Sequence, residues 1–270
     1  MAKLTRKEIA QRFALQGNTE AALAELFALR SSGDVGASAS LAEIAAYKGK
    51  WKEVLQHVEV VFGTPSSLYT QNVYQDMTML VARAGTELSE WAEVRRLAKF
   101  ALSKLTKRDE ARVATIRELA NFAQRTGKGS YVTEDECEER RKANFEAALD
   151  KLSKSKEKRF KIPEERRNHL FALARACDYY PGAVAMYDQE KALPFIFDNV
   201  VFAASGLTRD GRTEEAWRAI RSTLHLWWPV EVTQIAPIVF LTDEAIKVLM
   251  TPERCEEVLR APRGPGAQSK

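Results

Sequence analysis

Residues 46–58 read AYKGKWKEVLQHV, in which Gly49 separates two runs of helix-forming residues and Trp51 follows two positions later. Glycine adopts a positive φ without strain and is therefore common where a helix ends. After the glycine, Val54 and Val58 are spaced as one face of an amphipathic helix. The stretch predicts a helix that ends at Gly49, a tight corner, and a second helix whose first turn is anchored by Trp51.

The same pattern occurs four times without gaps. The segments are IAQRFALQGNTEAALAEL (9–26), LAEIAAYKGKWKEVLQHV (41–58), VARAGTELSEWAEVRRLA (81–98) and AASGLTRDGRTEEAWRAI (203–220). Three columns align: corner residues (Gly17, Gly49, Ser89, Gly211), small residues on the first helix (Ala10, Ala42, Ala82, Ala204) and apolar residues on the second (Ala22, Val54, Val94, Ala216). Small residues allow two helices to approach closely. Each segment is therefore predicted to be a helical hairpin.

These columns resemble the tetratricopeptide repeat. The resemblance implies an all-α protein, an α-solenoid of stacked antiparallel hairpins with a C-terminal helical cap, which presents a concave surface to a peptide or protein. The apolar anchors of the second helices are separated by 32, 40 and 122 residues. The long gap leaves room for two diverged helical pairs, near 108–153 and 163–192.

The predicted organisation is one continuous domain in four parts. These are N-terminal repeats (1–130), diverged pairs with a basic connector (131–194), the last repeat with its cap (195–262) and a disordered tail (263–270). Thr242-Asp243-Glu244 and Thr251-Pro252-Glu253 have the residues of helix starts. They predict short helices at 243–250 and 252–260, which we expect to close the open end of the stack.

Composition narrows the class of protein. The 270 residues are 45% hydrophobic and 29% charged, with a net charge of +4, as in ordinary globular proteins. Three distant cysteines without a CxxC pair favour the reduced cytoplasm and argue against a zinc site. Lys3, Arg6 and Lys7 have no apolar run behind them, so we expect no secretory signal. No run approaches the roughly 18 apolar residues of a membrane span, so no membrane partner is expected.

The sequence offers no catalytic constellation. Its three histidines, His57, His169 and His225, are far apart, and it contains no HExxH, GxSxG or GxxxxGK[ST] motif. We therefore predict no enzyme, no cofactor and no metal. An enzyme would need carboxylates from separate repeats to meet in one cleft.

The leading hypothesis is a cytoplasmic, non-enzymatic scaffold that binds a protein or peptide; a bacterial toxin-neutralising (immunity) protein is one conceivable member of this class. Specificity would lie in polar residues of the first helices. The candidate contacts are Arg12, Gln16, Tyr47, Lys48, Arg83 and Trp228. Trp227 and Trp228 are adjacent, so one helix face cannot bury both. The capping segment that follows favours burial of both, whereas an exposed Trp228 would be a partner anchor.

The alternative hypothesis is a nucleic-acid-binding module that uses residues 140–167. Its basic patch comprises Lys154, Lys156, Lys158 and Arg159. Phosphate binding needs such a cluster, and stacking on single strands also needs exposed aromatic residues, of which Phe160 alone is present in the basic run 151–161. A solvated linker or a contact for an acidic protein therefore explains the patch better.

Overall fold

The computed structural model describes residues 4–65, 68–106, 108–125, 134–154, 160, 162–190 and 192–264, except for the side chains of residues 125 and 134–137. All regular secondary structure in these ranges is helical, which confirms the predicted all-α class. The chain divides into two compact units. Unit 1 comprises Met1–Gly129, Trp228–Thr242 and Met250–Lys270, and unit 2 comprises Ser130–Trp227 and Asp243–Leu249.

Helices are numbered in chain order. Unit 1 contains α1 (Arg6–Leu15), α2 (Thr19–Ser31), α3 (Ala37–Tyr47), α4 (Trp51–Gly63), α5 (Gln71–Leu88), α6 (Trp91–Lys104), α7 (Glu110–Arg125), α13 (Val239–Thr242) and α14 (Pro252–Arg260). Unit 2 contains α8 (Glu134–Lys154), α9 (Pro163–Ala176), α10 (Tyr180–Glu190), α11 (Phe197–Arg209), α12 (Thr213–Thr223) and two 3₁₀ helices, Leu224–Leu226 and Ile246–Leu249.

The corner column explains where the hairpins turn. Gly17, Gly49, Ser89 and Gly211 have φ values of +81°, +66°, +57° and +77°, so all four adopt the left-handed conformation. At Gly49 the amide donates to Ala46 O (3.0 Å) and the next amide to Ala45 O (2.9 Å), which is a Schellman motif. The corners predicted from the sequence are confirmed.

The small-residue column is confirmed at three of its four positions. Ala10, Ala42 and Ala204 are fully buried, whereas Ala82 is half-buried. In that hairpin the close approach occurs at Gly85, where a Cβ would lie 2.5 Å from Cγ2 of Val94. In this hairpin the close contact between the two helices therefore lies at Gly85, three residues after Ala82.

Helix pairs differ from the prediction in the middle of the chain. Helix α7 packs on α5 and α6 of unit 1, whereas α8 belongs to unit 2 and packs on α9. The pair predicted near 108–153 is therefore divided between the units. Helices α9 and α10 form the pair predicted near 163–192.

The C-terminal region departs most from the prediction. Helix α14 forms as expected, capped by Thr251, whose hydroxyl accepts from Arg254 N at 3.3 Å. The helix predicted at 243–250 is wrong. The Asp243 carboxylate accepts from the amides of Ala245 and Ile246 as a helix N-cap does, but the regular structure that follows is one short 3₁₀ helix, Ile246–Leu249.

The predicted cap and tail also need correction. Helix α14 packs on α3, far from the last hairpin in sequence, and residues 228–242 likewise lie in unit 1. The boundaries 1–130, 131–194, 195–262 and 263–270 therefore differ from the division that the structure shows. Arg263, placed in the tail by the sequence, is 1% exposed.

Candidate polypeptide-binding face

A face built by the first helices of three hairpins, α1, α3 and α5, holds residues 229–238 of the same chain, here named the resident segment. Every residue of α3 is buried, because this helix packs on α2, α4, α5 and α14 and its polar side chains contact the resident segment. The face is therefore occupied by a non-helical stretch that comes from some 190 residues later in the sequence.

Three side chains of this face, those of Gln11, Ser40 and Tyr47, donate to main-chain carbonyls of the resident segment. Gln11 Nε2 on α1 donates to the carbonyl oxygens of Glu231 (2.7 Å) and Gln234 (3.0 Å). Ser40 Oγ on α3 donates to the carbonyl of Thr233 at 2.6 Å. Main-chain atoms are common to all residue types, so these contacts recognise the backbone and not a particular side chain.

Two buried charged groups hold Ile235 at both of its main-chain atoms. Glu43 Oε2 accepts from the amide of Ile235 (2.6 Å) and from that of Ala236 (3.2 Å). Arg263 Nη2 donates to the carbonyl of Ile235 at 3.0 Å. Glu43 and Arg263 are each 1% exposed. Hydrogen bonds to charged groups in a buried setting are the strong ones, so this residue is the best-fixed point of the segment.

The environment shifts the pKa of Glu43, Asp76 and Arg263. Burial raises the pKa of Glu43 well above its ordinary value, although the two amides oppose the shift. Burial also raises the pKa of Asp76, which accepts from the Gln234 side chain at 2.9 Å. Burial lowers the pKa of Arg263 to about 10. Such shifts cluster at functional sites, although structural networks produce them too.

Tyr47, a predicted partner contact, is buried, and its hydroxyl donates to the carbonyl of Pro237 at 2.7 Å. With Ser40 and Glu43 it forms a polar stripe at positions i, i+3 and i+7 of helix 37–47, whose one other polar residue is Ser38. The sequence analysis did not identify Ser40 and Glu43 as site residues. The helical spacing of these polar residues could have indicated them. Nothing local in the sequence indicates Gln11, Asp76 or Arg263.

The large exposed side chains at the start of the resident segment and just before it are apolar. Trp228 is 63% exposed, Val230 is 73% exposed, and Trp227 is buried in unit 2. The expectation that both tryptophans are buried is therefore wrong for Trp228. Gln234 Oε1 accepts from the amides of Val230 (2.8 Å) and Glu231 (3.2 Å), which fixes the backbone beside the exposed side chains.

The other predicted contacts lie apart from the resident segment. Arg12, Gln16 and Lys48 are exposed at or near the ends of first helices. Arg83 is half-buried, pairs with Glu87 at 2.6 Å and lies 5.9 Å from the ring centroid of Trp51. Their role in partner binding remains a prediction.

The structure describes one of the four residues of the basic patch. Lys154 is exposed and pairs with Asp150 at 2.7 Å, while Lys156, Lys158 and Arg159 lie outside the described residues. The nucleic-acid hypothesis therefore remains a prediction.

Unit 2 has a pocket of about 480 Å³ between α8, the start of α10 and the end of α11. The Tyr180 ring stacks on Phe202 (centroids 4.5 Å apart), and the Arg209 guanidinium lies 4.3 Å from its centroid. Arg141 pairs with Asp178 at 2.8 Å. The pocket's charged and aromatic groups thus contact one another.

Comparisons with protein-family models, curated proteins and solved structures found no match to this chain. Among the described residues, no helix is long and apolar enough to cross a membrane. In the same ranges, no three His, Cys, Asp or Glu side chains are grouped so that they would hold a metal ion.

Proposed function

We propose that the chain is a non-enzymatic protein-binding scaffold of the cytoplasm, a degenerate tetratricopeptide-like solenoid whose first-helix face takes up a non-helical polypeptide segment. One observation carries the proposal. Side chains from α1 and α3 are directed at the main-chain atoms of a non-helical segment, with a buried carboxylate and a buried guanidinium on either side of one residue.

This arrangement supports binding better than simple closure of the fold. An apolar cover would bury the same face without the desolvation of two charges, which is costly in a protein interior. Glu43 and Arg263 instead offer an acceptor and a donor to a passing backbone. In this proposal the resident segment is a pseudo-ligand in the place that a partner's segment takes.

The test uses the full-length protein with the resident segment weakened. Ile235→Asp places a charge where Ile235 is 1% exposed, so it releases the segment. A labelled peptide with the native sequence of residues 228–240 is titrated and followed by fluorescence anisotropy. We expect it to bind this variant at least roughly tenfold more tightly than the wild type, because occupancy in cis lowers the apparent affinity.

The matched control is Ile162→Asp, the same substitution at an isoleucine that is 48% exposed in unit 2. This variant should bind the peptide as weakly as the wild type does. Circular dichroism checks that the Ile235→Asp protein keeps its helices. If that protein is helical and still does not bind the peptide, the proposed function is wrong.

A further inference from the structure

We infer that the face selects its ligand by sequence: a segment in which an aliphatic residue and a small residue, both with free amides, precede a proline. The inference rests on the proposed function and names the chemistry of the partner segment. In the resident segment these three positions are Ile235, Ala236 and Pro237.

The first requirement concerns amides. Glu43 Oε2 accepts from two consecutive amides, those of Ile235 and Ala236. Proline has no N–H group, so a proline at either position would leave this buried carboxylate without one of its donors. An unsatisfied buried charged acceptor is strongly unfavourable, and the face therefore excludes proline at both positions.

The second requirement concerns side-chain volume. Ile235 is 1% exposed and belongs to the core cluster of α1–α3, where Ala10, Ala14 and Leu41 are also buried. Alanines on the helices leave room for a branched side chain at this point. Ala236 is equally buried, so a larger side chain there would overpack a filled interior.

The third requirement is weaker and favours proline. The carbonyl of Pro237 accepts from the Tyr47 hydroxyl at 2.7 Å, whereas its nitrogen has no hydrogen to donate. Proline thus costs no hydrogen bond at this position. Its fixed φ also restricts the free peptide, so less conformational entropy is lost on binding.

The experiment compares labelled 228–240 peptides on the full-length Ile235→Asp protein. The native peptide is the reference, and Ile235→Pro and Ala236→Leu are the test peptides. We expect affinity to fall on the order of 100-fold for Ile235→Pro, which loses a hydrogen bond to a buried charge. For Ala236→Leu we expect roughly tenfold from overpacking.

A proline control separates the amide requirement from general stiffening. Residues 231–234 form a turn in which Gln234 N donates to Glu231 O at 3.0 Å, and Val232 is its second residue. Proline is favoured at that place in a turn, so the Val232→Pro peptide should bind within about twofold of the native one.

A second protein variant links the discrimination to one side chain. On an Ile235→Asp protein that also carries Glu43→Ala, the Ile235→Pro peptide should lose the part of its disadvantage that comes from the missing amide, because no carboxylate remains to be satisfied. If all peptides bind alike to the Glu43-containing protein, sequence selection is overturned and the proposed function stands. If no peptide binds, the proposed function itself fails.

Discussion

Units 1 and 2 contain the same type of helical hairpin, but their charged side chains bind different kinds of partner. In unit 1, the buried charges Glu43 and Arg263 point at the main chain of a segment distant in sequence. In unit 2, Arg212 lies near the surface and binds Asp188 and Glu215 at 2.8 Å each. Charges that neutralise one another need no ligand, whereas charges aimed at a backbone are complete only when a backbone is present. This difference supports the proposal that unit 1 is the part of the chain that binds a polypeptide.

Removing one arginine from each unit is the strongest test of this difference. Arg263 donates to the carbonyls of Ala14, Ile235, Val258 and Ala261 while almost fully buried. Arg263→Ala leaves those groups and Glu43 uncompensated, so it should lower the free energy of unfolding by roughly 3–5 kcal/mol. Arg212→Ala removes solvent-screened ion pairs and should lower it by no more than about 1 kcal/mol.

Urea unfolding of both variants, followed by far-UV circular dichroism, measures the two losses. Arg260→Ala serves as the neighbouring control, since the Arg260 side chain is 74% exposed and should change stability by less than about 0.5 kcal/mol. Equal losses for Arg263→Ala and Arg212→Ala would mean that Arg263 does not anchor the resident segment.

The sequence predicted what is local and missed what is distant. Corner residues at Gly17, Gly49, Ser89 and Gly211 are visible because each hairpin repeats the same backbone requirement. The resident segment is invisible, because its partners are helices about 190 residues earlier and its bonds are made by main-chain atoms. Arg263 resembles any tail arginine in sequence, and only tertiary packing buries it.

The pH dependence of the unfolding free energy tests the comparison further. The expected change is smaller, because only one proton is involved. Burial raises the pKa of Glu43 well above 4.5, so unfolding releases a proton between pH 4.5 and the folded-state pKa. Stability from this group is fully present below pH 4.5 and falls as pH rises through the folded-state pKa, by at most about 1.4 kcal/mol per pH unit. Glu43→Gln should remove this fall.

The measurement is the difference in unfolding free energy between wild type and Glu43→Gln across pH. The difference is needed because burial lowers the pKa of His57 to about 4, which gives an opposite slope between about pH 4 and 6.5 in both proteins. Asp76, Glu231, Arg263 and Tyr47 surround the site in both proteins as well. Glu138→Gln, an exposed carboxylate at the unit 2 pocket, should keep the wild-type pH profile. Parallel profiles for wild type and Glu43→Gln would contradict the expectation.

The smallest expected effect concerns the hairpin corner, which both units contain. Ser89 in unit 1 and Gly211 in unit 2 occupy the same corner position, with φ of +57° and +77°. A left-handed conformation costs a residue with a Cβ about 1–2 kcal/mol, so Ser89→Gly should stabilise the protein by about 1 kcal/mol and Gly211→Ser should destabilise it by a similar amount. No atom lies within 4 Å of a Cβ built at Gly211, so backbone strain alone is measured there.

As a control, Ser32→Gly replaces a serine with φ of −83° and should not stabilise the protein. Thermal unfolding of the three variants gives the values; opposite shifts of similar size would show that the corner conformation, and not the surroundings of either unit, sets this contribution.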